Sequence, residues 1–321
     1  MCACRTDTTE DIASLVYQAT SQIPEGMVTT YGDIATALGD RVASRAVGEI
    51  LSKNEHPLIV PCHRVVYSTG EVGWYGGRDK GSERKIELLE QEGVHIVGGK
   101  VQDFATRRFR DFCIDPVLKW MRDEQDRMAA QVIEEDTFGK LEYIAGLDVS
   151  YEGENAFAAI VLMDWEHMKM VEERTIQCKI TFPYIPTFLS YREAPAIRRL
   201  IEKRPGAVYL IDGQGVLHPR GAGIASHIGV GLDIPTVGAA KSVLVGSVQD
   251  VDADSSPILL DGRIRGWALR QGSKATYVSV GHRVSLDTAT RICSRALKHG
   301  IPQPLRRAHE LANRARREAS T

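Results

Sequence analysis

Ala207-Val208-Tyr209-Leu210-Ile211-Asp212 is a continuous apolar run closed by a carboxylate. A run of this kind predicts a strand buried on both faces, as in a sheet covered by helices. An acid at its end is unexpected on packing grounds, whereas functional groups of open α/β sheets collect at the carboxyl ends of strands. Upstream, Asp148 interrupts a second apolar stretch, Ile144-Ala145-Gly146-Leu147-Asp148-Val149. Residues 141–151, 156–164 and 168–177 are β-rich and closely spaced, which predicts an antiparallel meander. Helix-like segments at 192–203 and 221–232 flank the Ala207 run. The C-terminal half therefore predicts a mixed sheet with flanking helices.

The chain has 321 residues, 43% of them apolar and 26% charged, enough for two domains at roughly 100–200 residues each. This composition excludes a disordered chain, and no charge-free apolar run is long enough to span a bilayer. The start, Met1-Cys2-Ala3-Cys4-Arg5, lacks the apolar core of a secretory leader. Six scattered cysteines without paired Cys-x-x-Cys spacing predict reduced, cytoplasmic thiols rather than a zinc site or disulfides, with Cys2 and Cys4 as a minor metal-binding alternative. Helical periodicity and a glycine-rich patch fill residues 10–100. A basic stretch, Arg107-Arg108-Phe109-Arg110, and a polar helix over 116–135 then precede the strands. The expected division is a domain at 1–103, a linker at 104–115 and a second domain at 116–321.

Asp148, Asp212 and Glu193 are the acids that stand out. If the strands of Asp148 and Asp212 are parallel neighbours, their carboxylates converge, and Glu193 can reach over from a covering helix. Such a cluster repels itself unless a divalent cation neutralises it, and hard oxygen ligands suit Mg²⁺, with Mn²⁺ as a substitute. Each acid taken singly also reads as a cap or edge residue.

In the first half, Thr30-Tyr31-Gly32-Asp33 has capping-box form and predicts a helix ending near Gly39. A second helix over 43–53 is rich in small residues and carries Arg45. Together they read as a helix-turn-helix or as an ordinary helical hairpin. Pro61-Cys62-His63-Arg64-Val65 sets a thiol beside a base and a cation, which is what thiolate chemistry requires. Glu92 is placed to orient the histidine.

PCHRV at 61–65, with TTYGDIA at 29–35, ASRAVG at 43–48, GEVGWYGG at 70–77 and LLEQEGV at 88–94, resembles the active-site domain of the O6-alkylguanine-DNA alkyltransferases across residues 10–100. The resemblance implies that Cys62 accepts the alkyl group and that His63 and Glu92 form a water-linked proton relay. It further implies that Tyr31 presses on the target phosphate, Arg45 fills the gap left by a flipped base, Asn54 supports the turn before the cysteine, and Tyr75 lines the guanine pocket. Arg64 joins the expected DNA-contacting residues. Only about ten residues precede the match, so the family's non-catalytic N-terminal subdomain is not expected here. The family's non-transferring branch replaces the cysteine, which this chain keeps. A lesion-binding module and a Cys–His amide hydrolase are the alternatives.

AGLDVSY at 145–151, FPYIPTFLSYREAP at 182–195, YLIDGQGVLHPRGAGIASHIGV at 209–230, DIPTVGAAKS at 233–242 and YVSVGHRVSL at 277–286 resemble endonuclease V across 117–307. This implies a ribonuclease-H-like fold in which Asp148, Glu193 and Asp212 hold Mg²⁺. Lys241 and His218 would meet phosphate or the reacting water, and His282 would assist the metal or be a plain loop histidine. Pro183-Tyr184-Ile185-Pro186 matches the family's wedge, and Leu189, Gly213, Gly223 and Ile224 its hypoxanthine pocket. The implied reaction cuts the second phosphodiester 3′ to the lesion.

The whole chain then reads as a monomeric, two-domain α+β and α/β DNA repair protein: a small helical alkyltransferase domain joined to a nuclease. Its expected partners are DNA with alkylated guanine or deaminated adenine, with inosine-containing RNA as the alternative and no membrane. Forty Lys+Arg against 42 Asp+Glu exclude a blanket polyanion binder. Arg306, Arg307, Arg314, Arg316 and Arg317 near the C-terminus are expected either to fringe the DNA or to lie on a frayed helix.

Overall fold

The computed structural model describes residues 11–57, 59–76, 81–250 and 253–319. Cys2 and Cys4 lie outside them. The chain forms two compact units, Met1–Met121 with Phe182–Pro186, and Arg122–Thr181 with Thr187–Thr321.

The first unit is built from short helices. Ile12–Ser21 starts on Asp11, whose carboxylate accepts the Ala13 N–H. Tyr31–Ala37 begins on the capping box that its sequence predicts: Thr30 Oγ1 accepts the Asp33 N–H while the Asp33 carboxylate accepts the Thr30 N–H. Asp33 is further locked by both arms of Arg108, at 2.7 and 2.8 Å. Gly39, at φ +106°, turns the chain into the Arg41–Ala43 and Ser44–Leu51 helices. Parallel pairing of Thr29–Thr30 with Val65–Val66 holds this helix pair beside the cysteine turn. The Glu83–Gln91 helix buries Leu88 and Leu89, and Leu89 joins a core of Val28, Val66, Val72, Val94 and Val101.

Among the described residues, the second unit is built on a nine-stranded mixed sheet. Its order runs Ser247–Val248, Ser255–Leu260, Arg263–Gln271, Lys274–His282, Thr236–Ala240, Ala207–Ile211, Tyr143–Glu152, Asn155–Asp164, Met170–Lys179. The last three form the expected antiparallel meander. Ala207–Ile211 lies parallel to both of its neighbours and is buried at all five positions. One face of the sheet packs on Leu189–Leu200 and Ile224–Leu232, the other on Leu286–Ala296 and Gln303–Ala319. Alternate residues of one strand accordingly enter different cores, Ile144 one and Ala145 the other.

Three expectations shift. The helix expected over 192–203 is Leu189–Leu200, which places Glu193 within its first two turns. The polar helix ends at Ala129 rather than 135. The C-terminal arginine-rich stretch is not frayed: Gln303–Ala319 is a continuous helix that buries Leu305, Ala308, Leu311 and Ala312. Gly146 admits it, since a Cβ there would lie 2.2 Å from the Pro304 carbonyl carbon. Among the described residues, no helix is long and apolar enough to cross a membrane.

Candidate functional site

In the first unit, Cys62 opens a single tight turn, Cys62–Arg64, just after Pro61. Asn54 Nδ2 lies 3.2 Å from the Cys62 sulfur and 2.9 Å from the Val60 carbonyl, while Asn54 Oδ1 accepts the His56 N–H. The amide is thereby fixed with its donor side toward the sulfur. His63 is buried, with Nε2 2.8 Å from Glu92 Oε1. Glu92 also takes the Arg64 guanidinium at 2.7–3.1 Å, and Arg64 donates to the Ile23 carbonyl as well.

Burial pushes the Glu92 carboxyl up, but hydrogen bonds from Arg64 and His63 outweigh it and hold the group below its ordinary value. Burial likewise holds His63 below its ordinary value, in the neutral form. A neutral imidazole with Nε2–H on Glu92 presents a lone pair at Nδ1. That Nδ1 is buried and has no hydrogen-bond partner among the described residues. The arrangement is a base looking for a proton.

Cys62 opens on a cavity of about 730 Å³ that Tyr31, Arg45, Tyr67, Trp74, Tyr75 and Lys85 help to line. Of the residues expected to contact DNA, Tyr31, Arg45 and Tyr75 share this cavity, and Asn54 touches the sulfur. Arg64 does not match the expectation. Its side chain is only 17% exposed and turns inward onto the half-buried Glu92 carboxylate.

In the second unit, Leu147 pairs with Ile211 in parallel register, so Asp212, just past the end of its strand, lies beside Asp148 in the middle of Tyr143–Glu152. Glu193 comes from the covering helix. Burial, then the charges of Asp148 and Asp212, push Glu193 up to about 7, and burial with the Asp148 charge raises Asp212. Each acid is held by a different neighbour. Lys241 Nζ lies 2.5 Å from Asp212 Oδ2, Tyr151 donates to Glu193 Oε1 at 2.5 Å, and His309 Nδ1 lies 2.6 Å from Asp148 Oδ2. With those partners in place, no three Asp, Glu, His or Cys side chains among the described residues stand in ligand geometry. Crowded hard oxygens of this kind are nonetheless a donor set that suits a hard divalent cation.

His218 and His282 do not join the cluster. His218 is buried between the Thr187 carbonyl and the Arg220 N–H, and burial drives it down to about 4. His282 takes the Ile133 N–H on Nδ1 and faces Asp233 with Nε2. A phosphate or metal role for either departs from this geometry. The segments expected to recognise the base each have their own surroundings. Gly213 and Gly223 leave room where a Cβ would meet Ile224 at 2.4 Å and the Gln214 carbonyl at 2.2 Å. Leu189 opens the helix that carries Glu193. Tyr184 is 54% exposed between Pro183 and Pro186, with Ile185 buried beneath it.

Two residues at the acid cluster escape sequence reading. His309 sits in a charged helix whose pattern, Arg306-Arg307-Ala308-His309-Glu310, resembles a solvated face. Tyr151 follows Asp148 by three residues in a strand, and only the fold shows that its hydroxyl reaches Glu193.

Comparison with known proteins adds two family matches. The endonuclease V family model matches residues 126–310, and the 6-O-methylguanine DNA methyltransferase, DNA binding domain, matches 11–94. A bifunctional methyltransferase/endonuclease of Picrophilus torridus is 35% identical over 94% of this chain and 95% of that relative. The crystal structure of endonuclease V from Streptomyces avermitilis is 35% identical, with a TM-score of 0.58 over 63% of this chain and 94% of that one. Endonuclease V of Ciona intestinalis, solved with a 24mer DNA containing an inosine followed by a ribo-adenosine, is 27% identical, with a TM-score of 0.57 over 63% of this chain and 98% of that one.

Proposed function

Because this chain belongs to the endonuclease V family, carries a 6-O-methylguanine DNA methyltransferase DNA-binding domain ahead of the nuclease region, and is similar to a bifunctional methyltransferase/endonuclease, we propose that it repairs two kinds of base damage with two separate sites. Residues 1–103 take an alkyl group from O6-alkylguanine onto Cys62, once per molecule. Residues 116–321 cut the second phosphodiester 3′ to deoxyinosine, with 104–115 as linker. The substrates are damaged intracellular DNA, and the chain acts as a monomer.

At the first site the target guanine leaves the stack and enters the Cys62 cavity. Tyr31 presses on its phosphate, Arg45 fills the vacated space and Tyr75 lines the pocket. A water on the open Nδ1 of His63 relays the thiol proton, and Glu92 holds the ring in the tautomer that accepts it. The sulfur attacks the alkyl carbon, a C–S bond forms as the C–O6 bond breaks, and the electron pair passes to guanine. Guanine recovers a proton equivalent to the one the thiol lost. Nothing in the site cleaves the thioether, so the reaction is stoichiometric.

At the second site Asp148, Glu193 and Asp212 would hold Mg²⁺, or Mn²⁺ in its place, once Lys241 releases Asp212. When bound, such an ion supplies a water nucleophile of lowered pKa and stabilises the leaving oxygen. Lys241, released from Asp212, faces the scissile phosphate. Tyr184 is the wedge on a loop stiffened by Pro183 and Pro186, and the flipped hypoxanthine rests against backbone at Leu189, Gly213, Gly223 and Ile224.

The observation that supports the nuclease reading is the parallel register of Leu147 with Ile211, which sets Asp148 beside Asp212, with the charges of both acting on Glu193. The test is nicking of an inosine duplex with Mg²⁺: Asp212→Ala must abolish it and Cys62→Ala must leave it intact. Persistent nicking by Asp212→Ala overturns the assignment. Competition between matched inosine-containing DNA and RNA strands decides which nucleic acid is preferred.

A further inference from the structure

Lys85 is 1% exposed, and the hydrogen bond from its ammonium is to the Val65 carbonyl, at 2.6 Å. A buried ammonium usually has a carboxylate beside it, because desolvation makes an uncompensated charge expensive. Among the described residues none is paired with Lys85. What it shares instead is the Cys62 cavity. Burial drives Lys85 down to about 8, and the charge acting against that drop is that of Cys62.

The groups around the sulfur leave Lys85 as its cation. His63, Arg64 and Glu92 form a closed set, with neutral imidazole, one positive and one negative charge, that sums to zero. Tyr17, Tyr31 and Tyr75 sense the sulfur's charge but carry none near neutral pH. Arg45 on the cavity rim is largely exposed and paired with Glu49, and Arg41 on the same rim is exposed to solvent, which screens both. The helix Glu83–Gln91 bears Lys85 and leads directly into Glu92, so a single element sets both the relay's carboxylate and the cation.

We propose that Lys85 is a positioning residue for alkyl transfer, whose buried ammonium holds negative charge on the Cys62 sulfur before and during attack. It moves no proton: the thiol proton still leaves through His63, and Lys85 contributes field alone. The proposal rests on Cys62 being the alkyl acceptor. On this proposal the Cys62 sulfur takes the place of the carboxylate that a buried lysine usually has beside it.

The test measures the rate of Cys62 alkylation by iodoacetamide, a small neutral reagent that needs no DNA, on the full chain between pH 6 and 10.5. Lys85→Met keeps the length of the side chain and removes the charge; Lys85→Arg restores a charge. Lys85→Met is expected to label about tenfold more slowly at pH 7, with the deficit disappearing toward pH 10.5, and Lys85→Arg to recover most of the rate. A Lys85→Met deficit that persists unchanged to pH 10.5 marks a merely structural role and overturns the proposal, as does an unchanged rate at pH 7.

The wild-type chain supplies a second measurement if Lys85→Met does not fold. Anionic iodoacetate, relative to iodoacetamide, is expected to react with Cys62 at least severalfold better than with free cysteine. That advantage should fade between about pH 8 and 9 as Lys85 discharges, whereas arginines on the rim keep their charge. A pH-independent ratio overturns the assignment to Lys85. Normal iodoacetamide chemistry without transfer from alkylated DNA would instead defeat the alkyltransferase reading and leave the Lys85 field standing.

Discussion

His309 Nδ1 lies 2.6 Å from Asp148 Oδ2, so the helix Gln303–Ala319 sets an imidazole directly on the first of the three acidic residues. His309 is half exposed, and its ring is steadied by Asn313, itself bonded to Ser150. His309→Ala is expected to lower inosine nicking at least tenfold and to raise the Mg²⁺ concentration needed for half-maximal rate. A titration of rate against Mg²⁺ for both proteins checks this.

Tyr151 donates to Glu193, and the buried carboxylate has this bond to hold its orientation. Removing the hydroxyl should free Glu193 to turn. Hydrogen-bond partners of metal ligands typically matter about 10–100-fold. Tyr151→Phe is therefore expected to weaken Mn²⁺ binding, measured directly by the loss of the free-ion resonance signal, by about tenfold, with little change in melting temperature.

Gly146 faces the backbone of Pro304 and Leu305. Gly146→Ala must push the C-terminal helix off the sheet, and overpacking of this kind costs about 1–3 kcal/mol. Denaturant unfolding should show a loss in that range or beyond it, accompanied by lower nicking, because the same helix carries His309.

Asp33 predicts an acid-sensitive first unit. Burial pushes its carboxyl up, but hydrogen bonds from Arg108 and Thr30 outweigh that and hold it below the ordinary aspartate value. A depressed folded-state value contributes stability above the unfolded value of about 4, lost as pH falls through the lower folded one. Asp33→Asn should therefore destabilise the chain at pH 7, by about 3 kcal/mol if Arg108 is left uncompensated. The gap from wild type should narrow as pH drops below 4. Unfolding curves taken from pH 7 to 3 measure it.

Much of this was legible in the sequence where local rules and long-range contacts agree. The capping box at Thr30 and Asp33 forms as its spacing predicts, and the apolar Ala207 run is a central strand ending on Asp212. Legibility fails where a polar residue's partner is distant in sequence. Arg64 reads as a DNA contact beside a cysteine, but Glu92, 28 residues on, draws it inward. Lys85 lies in Glu83-Arg84-Lys85-Ile86-Glu87, a pattern that reads as a solvated helix face; only packing shows that its stem enters the cavity. Pro195 also hides the start of its own helix, because proline inside a helix is a poor predictor of one.

The most direct test of two chemistries in one chain is mass spectrometry of the Cys62 peptide after incubation with duplex DNA containing O6-methylguanine. One methyl group is expected on Cys62, in an amount matching the lesion consumed, and none when Glu92→Gln or Cys62→Ala is used over the same short time. An unmodified Cys62 peptide, with the lesion intact and the protein still bound to it, would contradict the account and leave the first unit as a lesion-binding module.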